Sequence, residues 1–267
     1  NKAAYSVTGN CSESTRTVAV SIGGISANTT CSGTTFTSAT VDASGLADGV
    51  NAVTITANHT DAAGNTATQA STTVTKDTVG PALTINTLAV INNANKGNYA
   101  FGGSCETGGS TVAYSLVSGA TVSGNATCTA GAYSVTALNL NSLTDGTVTV
   151  SVTQSDALGN ASTTNAMVAK DTVNPTVTIN ALGAVNIANQ ATYTVSGTCS
   201  ESTRTVSIAV VGSATVNASP ACSGGNTYTV NVNLTTLTDG TLTVSANHNN
   251  TADNNATTAS TIMTKDT

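Results

Sequence analysis

The sequence predicts an all-β chain of three tandem, two-sheet sandwiches, on three observations. The chain repeats itself: "CSESTRTV" stands at Cys11–Val18 and again at Cys199–Val206, with Cys105 midway, 94 residues from Cys11 and from Cys199. Within each repeat, apolar or β-branched residues take every second position, the period of a half-buried strand. The six cysteines fall two per repeat, with separations of 20, 23 and 23.

The repeat spans whole units. Tyr5, Tyr99 and Tyr193 also keep the interval of 94 residues. "TKDT" (Thr75–Thr78), "AKDT" (Ala169–Thr172) and "TKDT" (Thr264–Thr267) mark the other end, and "VGPALTI" or "VNPTVTI" follows the first two. This predicts domains at 1–79, 80–173 and 174–267, the first without its own opening strand. A period near 94 residues is too long for a solenoid coil, which repeats every 20–30 or so.

In the third unit the strands read, in order, "PTVTINA" (A), "ATYTVSGTC" (B), "RTVSIAVVG" (C), one or two short strands to about Cys222, "NTYTVNVNL" (E), "GTLTVSANH" (F) and "NATTASTIMT" (G). Gly, Asn, Asp and Ser clusters separate them. No window keeps a helical period. Seven short alternating strands in such a unit predict an immunoglobulin-like sandwich. One cysteine pair per unit predicts the bridges Cys11–Cys31, Cys105–Cys128 and Cys199–Cys222, formed in an oxidising compartment. Each closes a loop of about 20 residues, contributing roughly 3 kcal/mol in the chain-entropy model. The first cysteine ends strand B, so the bridge should pin the B–C loop at one pole. In antibody domains it joins B to F across the core.

The composition narrows the function. Charged residues are 7% and aromatics 3%, with no tryptophan, and the net charge is −6. Seven basic residues spread along the chain form no patch for nucleic acid. No run of about 18 apolar residues could span a membrane in this segment. Sugar-binding platforms use aromatic rings, and this chain has two Phe and six Tyr, three of them at one core-like repeat position. No Ser-His-Asp or Cys-His set stands out, so no enzyme is expected. His59 and His248 share one repeat position with Gln154, which predicts packing at that strand position.

The acids carry the pattern. Glu13, Glu106 and Glu201 fall in B–C loops; Asp61, Asp156 and Asp253 in F–G loops; Asp48, Asp145 and Asp239 in E–F turns; Asp77, Asp171 and Asp266 after the last strand. Twelve of thirteen therefore sit at the poles of the sandwiches, where solubility alone would scatter them. Stacked end to end, the units would bring Asp77 toward Glu106, Asp156 and Asn160, and Asp171 toward Glu201, Asn250 and Asp253. Crowded carboxylates with almost no nitrogen or sulfur fit Ca2+, which takes six to eight oxygen ligands. The expected seam ligands are Asp77, Glu106, Asp156, Asn160, Asp171, Glu201 and Asp253. Asp48, Asp145 and Asp239 precede glycine, a common turn dipeptide needing no metal.

The run "DALGNASTTNAMVAKDTVNPTVTI", with D-x-x-G-N followed by K-D-T-x-x-P, resembles the F–G hairpin and linker of bacterial immunoglobulin-like repeats in large surface adhesins and envelope proteins. The resemblance covers all three units. It implies a non-catalytic, extracellular, cell-surface stalk whose seams are stiffened by calcium through Asp77, Asp156, Asp171 and the B–C glutamates. The cysteine pair is not part of the usual repeat. Partners would be neighbouring repeats, other copies of the chain, and a surface receptor or glycan. The alternative is a filament subunit, assembled by donation of a strand into the first domain. The first residue falls in mid-pattern, so an excerpt of a longer chain is expected.

Overall fold

A computed structural model describes residues 3–267, and among them the regular elements are β-strands apart from one short 3-10 turn at Gln190–Thr192. Residues up to Gly80, with Asp156–Asn160, form one compact unit; Pro81–Ser155 and Ala161–Thr267 form another.

In the first unit β1 (Thr8–Asn10) pairs with β5 (Thr35–Thr37). The facing sheet runs β3 (Ile25–Ser26), β2 (Thr17–Ile22), β6 (Gly49–His59), β7 (Ala70–Lys76), with β4 (Thr29–Thr30) also on β2. The second unit holds two sandwiches of one plan. In one, β8 (Tyr99–Ser104) pairs with β11 (Ala132–Leu138), facing a sheet of β10 (Ala120–Ala126), β9 (Val112–Ser118), β12 (Gly146–Ser155) and β13 (Ala161–Lys170). In the other, β14 (Tyr193–Thr198) pairs with β17 (Thr227–Val232), facing β16 (Thr215–Ala218), β15 (Val206–Val211), β18 (Gly240–His248) and β19 (Ala259–Lys265). All ladders are antiparallel.

Period-two alternation builds each core. Val148, Val150 and Val152 of β12 point inward and are fully buried, as are Leu242, Val244 and Ala246 of β18. Val53 and Ile55 of β6 do the same in the first unit. With few aromatics the cores are mostly Val, Leu and Ile. Each fully buried side chain contributes about 1.5–3 kcal/mol of transfer free energy. Phe101 meets Tyr114 and Tyr133 edge-on, with ring centroids 5.8 and 6.3 Å apart.

The predicted opening strand "PTVTINA" is present as a closing segment, but not as a full ladder strand. Its one ladder pair is Val177 with Cys199. Thr178 N donates to Thr198 O and Asn180 N to Ser196 O, while the Thr178 carbonyl accepts the Tyr228 hydroxyl at 2.8 Å. In the preceding sandwich Thr84 and Asn86 donate to Ser104 O and Gly102 O, and Tyr133 donates to Thr84 O at 2.8 Å. Glycine at 103 and 197 permits this close approach. A Cβ there would lie 2.0 Å from Thr84 O or 1.9 Å from Thr178 O. The carbonyl thus turns to the tyrosine, and the ladder thins. Burial raises the phenol pKa of both Tyr133 and Tyr228 to about 12, so both remain donors.

The three disulfides form as predicted, Cys11–Cys31, Cys105–Cys128 and Cys199–Cys222. They also pin the B–C loop: Cys222 N donates to Arg204 O, and Thr203 N returns to Cys222 O. Cys31, Arg16 and Thr15 repeat that hook.

The E–F aspartates close the opposite pole. Asp48, Asp145 and Asp239 hold Lys76, Lys170 and Lys265 at 2.6, 2.8 and 3.2 Å. The same carboxylates accept the backbone N–H of Thr78, Thr172 and Thr267. The K-D-T motif therefore clamps the last strand to the E–F turn through its Lys and Thr, leaving its central Asp free of the clamp. Burial pulls the Asp145 carboxyl upward, but the Lys170 ammonium and the Thr172 donors outweigh it and hold the pKa below the ordinary value.

Replacing Cys105 and Cys128 together by Ala should lower the melting of that sandwich by about 10–20 °C, from roughly 3 kcal/mol of lost stability. Calorimetry checks this, and an unchanged melt would remove the bridge from the stability account. Asp145→Ala strands the buried Lys170 ammonium and should cost about 1–3 kcal/mol in denaturant midpoint. Because the folded pKa of Asp145 is lowered, its contribution is full above the unfolded carboxylate value near 4 and is lost as pH falls through the folded value. The variant should lack that acid-labile part, which equilibrium unfolding as a function of pH would reveal.

Candidate functional site

The F–G loop of each sandwich is a five-residue frame whose first side chain organises the rest. In "DAAGN", Asp61 Oδ1 accepts Asn65 N at 2.7 Å and Oδ2 accepts the Asn65 amide at 2.8 Å. In "DALGN", Asp156 accepts from Asn160 N, the Asn160 amide and Leu158 N. The Asn160 amide, with the backbone donors, holds the Asp156 carboxyl below its ordinary value despite an opposing contribution from burial. Glycine at the fourth position has positive φ, +90° at Gly64 and +88° at Gly159.

The third loop, "NTADN", keeps the frame but exchanges one atom. Asn250 Oδ1 still accepts Ala252 N and Asn254 N. Its second branch is now an amide nitrogen, which donates outward to Asp171 Oδ2 at 2.9 Å and Val173 O at 3.1 Å. With no second carboxylate oxygen to serve, the Asn254 amide also turns outward, to Asp171 O at 2.8 Å. Asn254 Oδ1 accepts Asn93 N at 2.7 Å, and the Asn92 amide reaches Ala252 O at 2.8 Å. Asn250 and Asn254 are only 3% and 2% exposed. The second and third sandwiches are thus joined by a buried, hydrogen-bonded amide network at the linker.

Behind the loops of the second and third sandwiches stands a tether, at the repeat position for which the Gln/His exchange predicts strand packing. Gln154 accepts Glu106 N at 2.9 Å through Oε1 and donates through Nε2 to Glu106 O and Ser110 O. His248 does the same with its ring: Nε2 accepts Glu201 N at 3.1 Å while Nδ1 faces Thr205 O at 3.2 Å. Those partners call for the Nδ1–H tautomer. The exchange of Gln for His at one repeat position was the available signal, since amide and imidazole both pair a donor with an acceptor. In the first unit His59 Nδ1 faces Thr17 O, and Nε2 has no partner among the described residues.

Among the expected ligands, Asn160 links Asp156 to the Asp77 backbone: its amide donates to Asp156 Oδ2 at 2.7 Å and to Asp77 O at 3.3 Å, while the Asp77 carboxylate accepts Val79 N. Asp171 is met by amides, while its other carboxylate oxygen accepts Val173 N. Asp253 stands at the glycine position of the frame, with φ +62°, and faces Arg204 at 3.4 Å within its own sandwich. Arg204 also donates to Asn250 O. The carboxylates of Glu106 and Glu201 form no hydrogen bond or ion pair among the described residues; their backbone N–H groups take the Gln154 and His248 tethers. Among the described residues no group of three or more His, Cys, Asp or Glu side chains is gathered as a metal site.

No protein-family model and no curated relative matches this chain. Solved structures do. One is a Ca2+-stabilized adhesin with which an Antarctic bacterium binds ice: 26% identity, 99% of this chain, 69% of that chain, TM-score 0.47. Another is from a 1.5-MDa bacterial ice-binding adhesin: 22% identity, 99% of this chain, 91% of that chain, TM-score 0.50. A third is a tetra-tandem repeat in the extending region of a large adhesion protein: 24% identity, 97% of this chain, 70% of that chain, TM-score 0.33. The structural neighbours of this chain include bacterial adhesin repeat domains, and what the chain shares with the 1.5-MDa adhesin is the fold.

Proposed function

We propose that this chain is a load-bearing, non-catalytic stalk segment of an extracellular adhesin-like repeat protein, with mechanical units at 1–79, 80–173 and 174–267. The observation that carries this is the buried network in which Asn250 and Asn254 grip Asp171, Val173 and the 92–93 turn. Polar side chains at a flexible linker would remain solvated. Here they are desolvated and paired across two sandwiches, so bending the joint would expose or strand them at about 1–3 kcal/mol for each group left unpaired. The bridged B–C loop and the Gln154 and His248 tethers stiffen the poles from which such joints are built. Stability is then a sum of unit and joint contributions, as in other repeat proteins.

In this proposal the joints are of two kinds. The amide joint at Asn250 needs no ion, because an N–H donor stands where a second carboxylate would repel Asp171. The set of Asp77, Asp156 and Asn160 offers carboxylate and amide oxygens instead, and there Ca2+ supplies the positive charge. The ion assignment rests on that oxygen chemistry and on the D-x-x-G-N…K-D-T resemblance.

X-ray scattering and thermal melting of the whole chain, with Ca2+ or with chelator, test both parts. Ca2+ should raise the first melting transition and leave the joint between the second and third sandwiches extended in either condition. Asn250→Asp should lower stability by about 1–3 kcal/mol in chelator, through lost donors and a new carboxylate beside Asp171. Ca2+ should restore it. A wild-type melt and scattering profile indifferent to chelation would remove the ion. Free reorientation of the last two sandwiches in scattering would remove the stalk.

A further inference from the structure

The octapeptide "CSESTRTV" stands in the first and third sandwiches, while the middle one reads "CETGGSTV" at Cys105–Val112. The difference has a structural consequence. In the third sandwich Cys222, bonded to Cys199, holds two residues of the octapeptide through its backbone. Thr203 N donates to Cys222 O at 2.7 Å, and Cys222 N donates to Arg204 O at 2.8 Å. Cys31 holds Thr15 and Arg16 in the same way, both at 2.8 Å. Thr15 and Thr203 each have φ +69°. A β-branched residue in the left-handed region is an outlier, and it persists only where its surroundings impose it. In the middle sandwich Ser110 stands at the arginine position and a glycine takes the positive φ, +88° at Gly108. Among the described residues the Cys128 backbone forms no such hook. Ser110 instead pairs directly with Ser155.

The arginine carries the hook to the F–G loop. Arg204 Nη2 donates to Asn250 O at 2.9 Å and Nε to Asn249 O at 3.4 Å. Arg16 reaches Asp61 O at 2.8 Å and Thr60 O at 3.2 Å with the same two nitrogens. Two donors fixed in one plane set both the position and the direction of the loop backbone, which a single ammonium would not. From Asn250 the contacts leave the sandwich. Its amide donates to Asp171 Oδ2 and Val173 O, and Asn254, folded onto Asn250 Oδ1, accepts Asn93 N. Cys222, Thr203, Arg204, Asn250 and Asp171 therefore form one continuous route from the sulfur to the joint.

We propose that the Cys199–Cys222 bridge is an oxidation-set lock on the joint between the second and third sandwiches, with Arg204 as its positioning residue. In the reduced chain the Cys222 turn is free to move from Cys199. Thr203 then returns to the ordinary backbone region, and Arg204 loses the direction that seats Asn250. Oxidation takes two electrons and two protons from the two thiols, and a disulfide oxidant accepts them to become a dithiol. The new S–S bond imposes the left-handed turn and completes the joint. Once formed the lock is sheltered from thiols, because Cys199 and Cys222 are both buried, whereas Cys11 and Cys128 are half-buried. The bridge of the middle sandwich has no part in it. It lacks the hook, and that sandwich meets the joint through Asn92, Asn93 and Asp171 at its other pole. The inference rests on the amide joint proposed above and names what controls it.

Amide exchange of the whole chain, read residue by residue, tests this. The reporter is the Asn93 N–H, which donates to Asn254 across the joint. Cys199→Ala with Cys222→Ala should speed its exchange about tenfold or more, the scale of losing a hydrogen bond to a charged group. Core amides of β15 and β18 should stay slow. Arg204→Lys, with the bridge intact, should give the same acceleration; it decides the matter if the cysteine variant loses its core protection. Reoxidising the reduced wild type should restore slow exchange at Asn93 together with the Cys199–Cys222 bridge, followed by peptide mapping. Unchanged exchange in a folded variant, or restoration before that bridge forms, would overturn the lock and leave the joint standing. Fast exchange at Asn93 in the oxidised wild type would overturn the amide joint itself, and the lock with it.

Discussion

The joint between the second and third sandwiches depends on one atom. The first residue of each F–G loop must fold its loop by accepting backbone N–H groups, and one oxygen suffices for that. The second branch is left to face the neighbourhood. As a carboxylate oxygen, at Asp61 and Asp156, it takes up the loop's own terminal asparagine amide. As an amide nitrogen, at Asn250, it repels that amide and turns both asparagines toward Asp171. Loop geometry is unchanged, but the loop's polar capacity moves from its interior to the joint.

This works because the rest of the pole holds still. The disulfide anchors the base of the B–C loop, Gln154 or His248 grips its glutamate backbone, and in the third sandwich Arg204 draws the loop onto Asn250 O and Asp253. At the far pole the Asp–Lys–Thr clamp fixes the last strand where the linker leaves it. A chain with 7% charged residues uses most of its acids and several of its bases in contacts at the poles. Low charge on the strand faces and dense polar pairing at the poles are two sides of one distribution.

Closing each sandwich is a separate requirement. Two sheets of β-branched residues leave an apolar side between their edge strands, and the segment before each of the last two sandwiches covers it. A glycine admits the segment's backbone, and a tyrosine from the paired strand takes its carbonyl. The covering segment forms few ladder bonds because side-chain hydroxyls compete for its carbonyls. It is held by packing as much as by hydrogen bonds, which suits a stretch that must also serve as a linker.

Much of this was legible in the sequence. Repeats, alternation and paired cysteines are local properties of the chain, and they determined the strands, the three bridges and the gathering of acids at the poles. E–F turns do meet the ends of the last strands, and B–C loops do meet F–G loops, as strand directions alone require. What the sequence could not determine was which atom faces which. Asp253, expected among the seam ligands, occupies a left-handed glycine position and faces Arg204 of its own sandwich. Gln154 and His248 passed for packing although they hold the loops. The outward turn of Asn250 and Asn254, and the split roles within K-D-T, were decided by the tertiary structure. Side-chain partnership depends on distances across loops and joints, and neither period nor composition encodes them.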